Sequence, residues 1–263
     1  MRVDIHCHIL DGIDDGPKTI KEAVELSIKL RKNGIREVIA TPHFIADSDF
    51  MPTTECIKKK ISKLSKELKR QNVDLQIYPG MEVFASDDTI EKLDEGKIFT
   101  LNNSKYILLE FPFANVPRYM SDLLFTIQLK GYRPIIAHPE RYSALYRKSG
   151  IINDAVEKGA LLQINSGSLM GLYGSGPYKE ALRLLKNGMV HLIATDAHGG
   201  KRTIPSIDEV KKALSGICGN KNTNRILHTN PMSVLKDLEV ESMASTDKSY
   251  FMMGVLKKLG LNM

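Results

Sequence analysis

Seven short apolar runs recur along this chain: RVDIH (2–6), EVIAT (37–41), LQIYPGMEV (75–83), YILLEF (106–111), RPIIAH (133–138), LLQIN (161–165) and HLIATD (191–196). Runs of that length, bounded by polar or turn-forming residues, read as buried strands. Between them lie stretches with helical spacing of apolar residues, at 19–32, 54–70, 87–95, 120–129, 152–158 and 178–186. Gly34, Gly131, Gly159 and Gly188 close several of these in the manner of helix C-caps. A strand–helix unit repeated in this way commits the chain to a parallel α/β sheet with its crossovers outside. A closed or nearly closed barrel is the compact solution. Across 263 residues there is no repeat, low-complexity tract or linker, so a single domain over 1–263 is expected, with a helical tail from about 240.

Composition narrows the class further. A 42% hydrophobic content supplies a substantial core, and no apolar run approaches the roughly 18 residues that would span a bilayer. The N-terminus passes from Met1 directly into the first strand without the pattern of a secretory signal, so a cytoplasmic location is expected. Cys7, Cys56 and Cys218 form no CxxC pair and read as plain reduced thiols. The formal charge of +6 could attract phosphorylated ligands or nucleic acid. Much of it, however, lies in CIKKKISKLSKELKRQ, where Ile57, Ile61, Leu64 and Leu68 recur at helical spacing and leave the lysines on a solvated face. With no basic-aromatic motif, no nucleic-acid partner is expected. TNRILHTNPMSVLKD reads as two helical pieces broken by Pro231, His228 as a surface histidine, and SYFMMGVLKKLGLNM as a tail packed on the barrel.

The strand ends carry the chemistry. His6 and His8 end the first strand, His43 the second, Glu82 the third, Glu110 the fourth, His138 the fifth, Asn165 the sixth, and Asp196 with His198 the seventh. Barrel enzymes build their sites at that end. A single histidine or glutamate after a strand is ordinarily a cap or a satisfied polar group. Here five of the chain's seven histidines fall at strand ends together with three carboxylates, which points to a metal site. So many ligands exceed the four that one zinc takes and suit two or three divalent ions bridged by carboxylates. The mixed imidazole and carboxylate set fits Mn, Fe or Zn. Arg141 in HPERY and Arg202 in DAHGGKR follow strand-end histidines, and guanidinium forks match phosphate oxygens; a surface arginine or an ion pair with Glu140 is the alternative for Arg141. A cysteine-dependent phosphatase needs an arginine six residues after its cysteine, but those positions hold Ile13, Ser62 and Asn224. No GxxxxGK[ST] or GxGxxG loop is present.

DIHCHILDGIDDGP, IATPHF, PGMEV, YILLEFPF, KGYRPIIAHPERY, NSGSL and ATDAHG together resemble the PHP (polymerase and histidinol phosphatase) superfamily. Within it they are most similar to the manganese-dependent bacterial tyrosine-protein phosphatases of capsule and exopolysaccharide systems. The likeness runs from about residue 1 to 202. It implies a distorted (β/α)7 barrel with three metal ions, expected to be Mn with Fe or Zn as alternatives. By this resemblance His6, His8, Glu82 and Asp196 would hold one ion. Glu82 would bridge to a second bound by Glu110 and His138, and Asp15, His43 and His198 would hold the third. Asp14 competes with its neighbour Asp15 for the ligand role. Asp11, where relatives often carry proline, is read as a turn cap.

Arg141 and Arg202 match phosphate-binding positions, and Asp196 or His198 is the candidate proton donor to the leaving oxygen. The activity so implied is phosphotyrosine hydrolysis by a metal-activated hydroxide. Its substrate would be a tyrosine-phosphorylated protein, expected to be the cognate bacterial tyrosine kinase that controls polysaccharide export. The alternatives are a small-molecule phosphatase such as histidinol phosphatase, against which Glu110 counts, and a non-catalytic metal-bound regulator.

Overall fold

The computed structural model describes residues 1–115, 117–143, 149–200 and 203–243. Arg202 and residues 244–263 of the expected tail lie outside them. Strand β1 (Val3–Cys7) leads to helix α1 (Ile20–Lys32), then β2 (Glu37–Ala40), β3 (His43–Phe44), α2 (Thr54–Arg70), β4 (Gln76–Pro79) and β5 (Glu82–Phe84). The chain continues through α3 (Thr89–Asp94), β6 (Tyr106–Glu110), α4 (Met120–Leu129), β7 (Arg133–Ala137) and α5 (Ser149–Glu157). It ends with β8 (Leu161–Asn165), α6 (Ser166–Leu169), α7 (Ser175–Lys186), β9 (Leu192–Ala194), α8 (Ile207–Asn224) and α9 (Asn230–Leu235). Hydroxyl caps start α1 and α2: Thr19 accepts the Glu22 N–H and Thr53 the Cys56 N–H.

All strand pairs are parallel, in the orders β1-β2-β4 and β3-β5-β6-β7-β8-β9. The two sheets form one distorted barrel because β2 runs into β3, and β4 into β5, across short breaks. The expected strands over 37–41 and 75–83 are therefore each interrupted. Pro42 has no N–H to give, though its carbonyl accepts from Glu82, and a side chain at Gly80 would collide with Ile39, at 2.7 Å from its Cγ2. On the far edge, β9 meets β1 through Asp196 N–H to His6 O and His8 N–H to Ala197 O, both 2.9 Å. That junction joins the end of β1 to the loop after β9, with one isolated bridge between Cys7 and Ala197 rather than a regular ladder.

The lower half of the barrel interior is apolar. Val3, Ile5, Ile39, Tyr106, Leu108, Ile135, Leu161 and Leu192 pack there, and Val234 and Leu235 of α9 join them from below. A second cluster fills the layer between strands and helices, with Leu26, Leu30, Leu64, Leu109, Ile136, Leu162 and Ile193 among its members. Pro231 does not break a helix. It sits in the first turn of α9, where a missing N–H is harmless, and α8 reaches α9 through a π-helical turn at Arg225–Thr229. His228 is half-buried beside Met1 and Asp208. Among the described residues no helix is long and apolar enough to cross a membrane.

Candidate metal centre

Strand β1 changes facing part-way along. Val3 and Ile5 point into the apolar floor, yet His6 and His8 also point inward, because the β1–β2 register shifts between Asp4 and Cys7. The buried Asp4 carboxylate fastens this irregularity by accepting from Thr195, through the N–H at 3.1 Å and the hydroxyl at 2.5 Å. Two further site residues occupy left-handed backbone: His138 at φ 32 and Asp196 at φ 52. Such conformations cost on the order of 1–3 kcal/mol each in non-glycine residues and gather at functional sites.

His6, His8, His43, Glu82, Glu110, His138, Asp196 and His198 converge at the C-terminal mouth, with Asp15 beside them. Their donor atoms form three groups in which all lie within 4.8 Å of one another: His6, His8, Glu82, Asp196; His8, Asp15, His43, His198; and His43, Glu82, Glu110. His138 joins through Nε2, 2.8 Å from Glu82 Oε1 and 3.7 Å from Glu110 Oε1. The first group brings together the four residues that the family resemblance assigns to one ion. The second gains His8. In the third, His43 stands where His138 was expected, and His138 approaches the same two carboxylates from its own side.

Hydrogen bonds behind the ligand atoms fix which ring nitrogen faces inward. His6 Nδ1–H donates to Gln163 Oε1 at 2.8 Å, Gln163 Nε2 donates to Asn165 Oδ1 at 2.8 Å, and Asn165 Nδ2 donates to Asp196 Oδ2 at 2.7 Å. His8 Nδ1–H donates to Asp14 Oδ2 at 2.7 Å, and His198 Nδ1–H to the Asp196 carbonyl at 2.9 Å. In the neutral imidazoles each Nε2 is therefore a lone pair facing the cluster. The Nε2 atoms of His6 and His8 stand 3.3 Å apart. Glu82 Oε2 lies 3.1–3.2 Å from nitrogens of His6, His8 and His43. Lone pairs and carboxylate oxygens crowd one buried space, where His138 Nε2–H to Glu82 Oε1 at 2.8 Å is a donor contact; such a crowd fits divalent cations, and the N/O donor set without thiolate fits Mn, Fe or Zn alike.

Without cations, protons take their place. Burial lowers the pKa of His6, but Glu82 and Asp196 outweigh it and raise it to about 9. Burial and neighbouring Glu82 push Glu110 up to about 8, whereas the surrounding histidines hold Glu82 well below the usual carboxylate range despite burial. Two adjacent carboxylates thus separate into one neutral and one ionised. Burial, with the charge of His8, lowers His43.

The structure separates Asp14 from Asp15. Asp14 is turned behind His8 and also accepts the N–H groups of Gly16 (2.9 Å) and His43 (3.2 Å). Asp15 faces inward, 3.0 Å from His198 Nε2 and 3.6 Å from His43 Nε2. Asp11 is not a turn cap. Its Oδ2 takes Lys60 at 3.2 Å and Lys63 at 2.9 Å, so two lysines of the α2 face also anchor the β1–α1 loop. Arg141 pairs with Asp196 Oδ2 at 3.2 Å and not with Glu140, which is buried and accepts the Asn165 N–H at 2.9 Å. Gln163 was not foreseen as a partner of His6, although a polar residue inside LLQIN was its signal.

A distorted parallel α/β barrel with a histidine–carboxylate centre at the C-terminal mouth is the class that fold and site define. Residues 2–236 match the family described as capsular polysaccharide synthesis, CpsB/CapC, and the chain belongs to it. It is 38% identical over 199 residues to the tyrosine-protein phosphatase YwqE of Bacillus subtilis, covering 76% of this chain and 78% of that one. To the tyrosine-protein phosphatase CpsB of Streptococcus agalactiae it is 30% identical over 240 residues, 89% of this chain and 98% of the relative. Its fold superposes with a TM-score of 0.86 at 34% identity, over 91% of this chain and 96% of the other, on a crystal structure from work on YwqE and the Streptococcus pneumoniae CpsB, described there as unique metal-dependent tyrosine phosphatases. A zinc-bound histidinol phosphate phosphatase from Lactococcus lactis shares the fold alone, at TM-score 0.55 and 15% identity.

Proposed function

We propose that this chain is a metal-dependent protein-tyrosine phosphatase of capsule or exopolysaccharide synthesis, acting on a phosphorylated bacterial tyrosine kinase. The carrying observation is the convergence of five imidazoles and the Asp15, Glu82, Glu110 and Asp196 carboxylates beside Arg141 at one mouth. His6, His8, Asp15, His43, Glu82, Glu110, His138, Asp196 and His198 would hold the divalent ions, in the reading taken here three Mn. Bound there, the ions would supply the Lewis acidity that makes water nucleophilic at neutral pH and neutralises phosphoryl oxygens. Arg141 would orient the phosphoryl group, its guanidinium held at the rim by Asp196, and Arg202 is proposed as a second phosphate contact. Of the two candidate acids, Asp196 is the less suited. Asp196 accepts from Asn165 and Arg141, and His6 and His138 hold it below the usual range despite burial; His198 gives its Nδ1–H to a carbonyl. A phenolate, whose parent phenol has a pKa of about 10, leaves with little help from an acid, which favours aryl phosphates.

The test is phosphate release by the Mn-loaded protein from a phosphotyrosine peptide, with phosphoserine peptide, histidinol phosphate and chelated controls alongside. Chelator-sensitive preference for phosphotyrosine, falling about 100-fold in kcat/KM in Arg141→Ala, is expected from the loss of one preorganised charge donor. Preference for histidinol phosphate would overturn the assignment.

A further inference from the structure

Two aromatic rings beside Arg141 have no part in the chemistry above. Its Cζ lies 4.8 Å from the centroid of Phe113 and 5.3 Å from that of Tyr173, within cation–π range of both. Phe113 also reaches the metal centre, its ring edge-on to His138 at 5.8 Å and tilted against the buried Tyr142 at 5.6 Å. Tyr173 arrives from a separate segment, between α6 and α7, and lies over Gly167. A Cβ on Gly167 would come within 2.9–3.1 Å of the Tyr173 ring and hydroxyl, so glycine is what lets the ring lie there. Phe113 and Tyr173 remain 40% and 39% exposed, although they come from distant parts of the chain and meet at one cation, so both rings offer surface at the rim of the site.

We infer that Phe113 and Tyr173 form the wall that receives the aromatic ring of the substrate, so that selectivity for aryl over alkyl phosphates resides in these two side chains. The inference rests on the phosphatase reading and deepens it. A phosphoryl group held by Arg141 over the carboxylate and imidazole cluster directs its ester oxygen outward. The first group beyond that oxygen in phosphotyrosine is the phenol ring, at the level where the two exposed rings stand. Aromatic pairs associate at centroid separations of roughly 4.5–7 Å, in stacked or edge-on arrangements. The alkyl link of phosphoserine offers no such face.

Binding, not turnover, is the first readout. Inorganic phosphate, methylphosphonate and phenylphosphonate are titrated calorimetrically into the Mn-loaded full chain; the last two share a head group and differ in the ring. In the parent protein phenylphosphonate should bind more tightly than methylphosphonate. Phe113→Ala and Tyr173→Ala should each shrink that ratio about threefold to tenfold, the range expected of one aromatic pair. Affinity for phosphate and methylphosphonate should stay within about twofold. Gly167→Ala, which displaces the Tyr173 ring without removing it, should move the ratio in the same direction, and Phe113→Leu serves if the alanine variant does not fold. Equal losses for all three ligands would overturn the inference, because the rings would then act only by positioning Arg141. An unchanged ratio in both ring variants would overturn it as well. If the parent protein binds all three ligands yet releases no phosphate from phosphotyrosine, the phosphatase reading fails, and the ring wall is still decided by the binding ratio.

Discussion

Replacing Asp14 by asparagine probes the centre without touching any atom that faces it. Both oxygens of Asp14 accept: Oδ2 from His8 Nδ1–H at 2.7 Å and from the His43 N–H at 3.2 Å, Oδ1 from the Gly16 N–H at 2.9 Å. Asparagine offers one oxygen and one NH2. With the oxygen toward His8, the NH2 meets the Gly16 N–H and a buried hydrogen bond is lost, at a cost of about 1–3 kcal/mol. Gly16 has no room to retreat, since even a Cβ there would lie 2.5 Å from the His8 carbonyl. With the amide reversed, the NH2 meets His8 Nδ1 and drives that ring to the other tautomer. Its proton then sits on Nε2, aimed at Glu82 Oε2 3.1 Å away, and the lone pair that would bind a cation is gone. Loss of such a partner behind a ligand typically costs 10- to 100-fold in metal affinity, about 1.4–2.7 kcal/mol. The assay is competition for Mn against a chromophoric chelator at pH 7.5, parent against Asp14→Asn, with melting curves of both. Affinity retained within twofold, with unchanged phosphate release, would refute the argument that Asp14 sets the His8 tautomer.

The remaining expectations concern stability. His191 is buried just before β9, at the end of the barrel away from the candidate metal centre. Its Nδ1 accepts the Leu162 N–H at 3.2 Å, and burial with the charge of Arg133 lowers its pKa to about 4. Because the folded pKa lies below the unfolded value near 6.5, its contribution is complete above pH 6.5 and is lost as pH falls toward 4, about 2 kcal/mol of it by pH 5. Urea unfolding of the chelated protein at pH 7.5 and 5.0 should show that loss, and His191→Gln should remove it; equal pH dependence in both proteins would contradict the assignment. Mn at about 100 times its dissociation constant should add about 2.7 kcal/mol, and raise Tm by about 5–10 °C in a chain of this size, as read by differential scanning calorimetry with and without chelator. No shift would mean that the cluster does not bind Mn.

Much of the fold was legible because apolar runs and helical spacing report burial directly. The strand positions and the helices over 54–70 and 120–129 follow from pattern alone. The breaks after Ala40 and Pro79 were hidden because EVIAT and LQIYPGMEV remain continuously apolar across them; what interrupts the ladder is a proline without a donor and a glycine pressed on Ile39. At the centre, residue type and strand-end position were enough to name the residues that converge apart from Asp15, which came from the family resemblance. Asp14 and Asp15 could not be told apart, since adjacency in sequence says nothing of which carboxylate turns inward. Nor could Asp11 be assigned, because its lysines come from a helix about 50 residues on. Gln163 and Tyr173 escaped notice because their roles depend on a ring nitrogen and a guanidinium brought from elsewhere in the chain.

The arrangement has a thermodynamic logic that joins these observations. Buried carboxylates and imidazoles, with left-handed backbone at His138 and Asp196, oppose folding. The apolar floor and outer layer supply the opposing stability, while the amide relay from His6 through Gln163 and Asn165 to Asp196 satisfies polar atoms that burial would otherwise leave unmet. That relay also decides which nitrogen of His6 faces inward, so one set of hydrogen bonds lowers the cost of the cluster in the folded chain and prepares it for cations. Folding and metal affinity are therefore coupled through the residues behind the ligands. A change at Gln163 or Asn165 should weaken both together, whereas a change at the exposed Phe113 should leave both intact and act on the substrate alone.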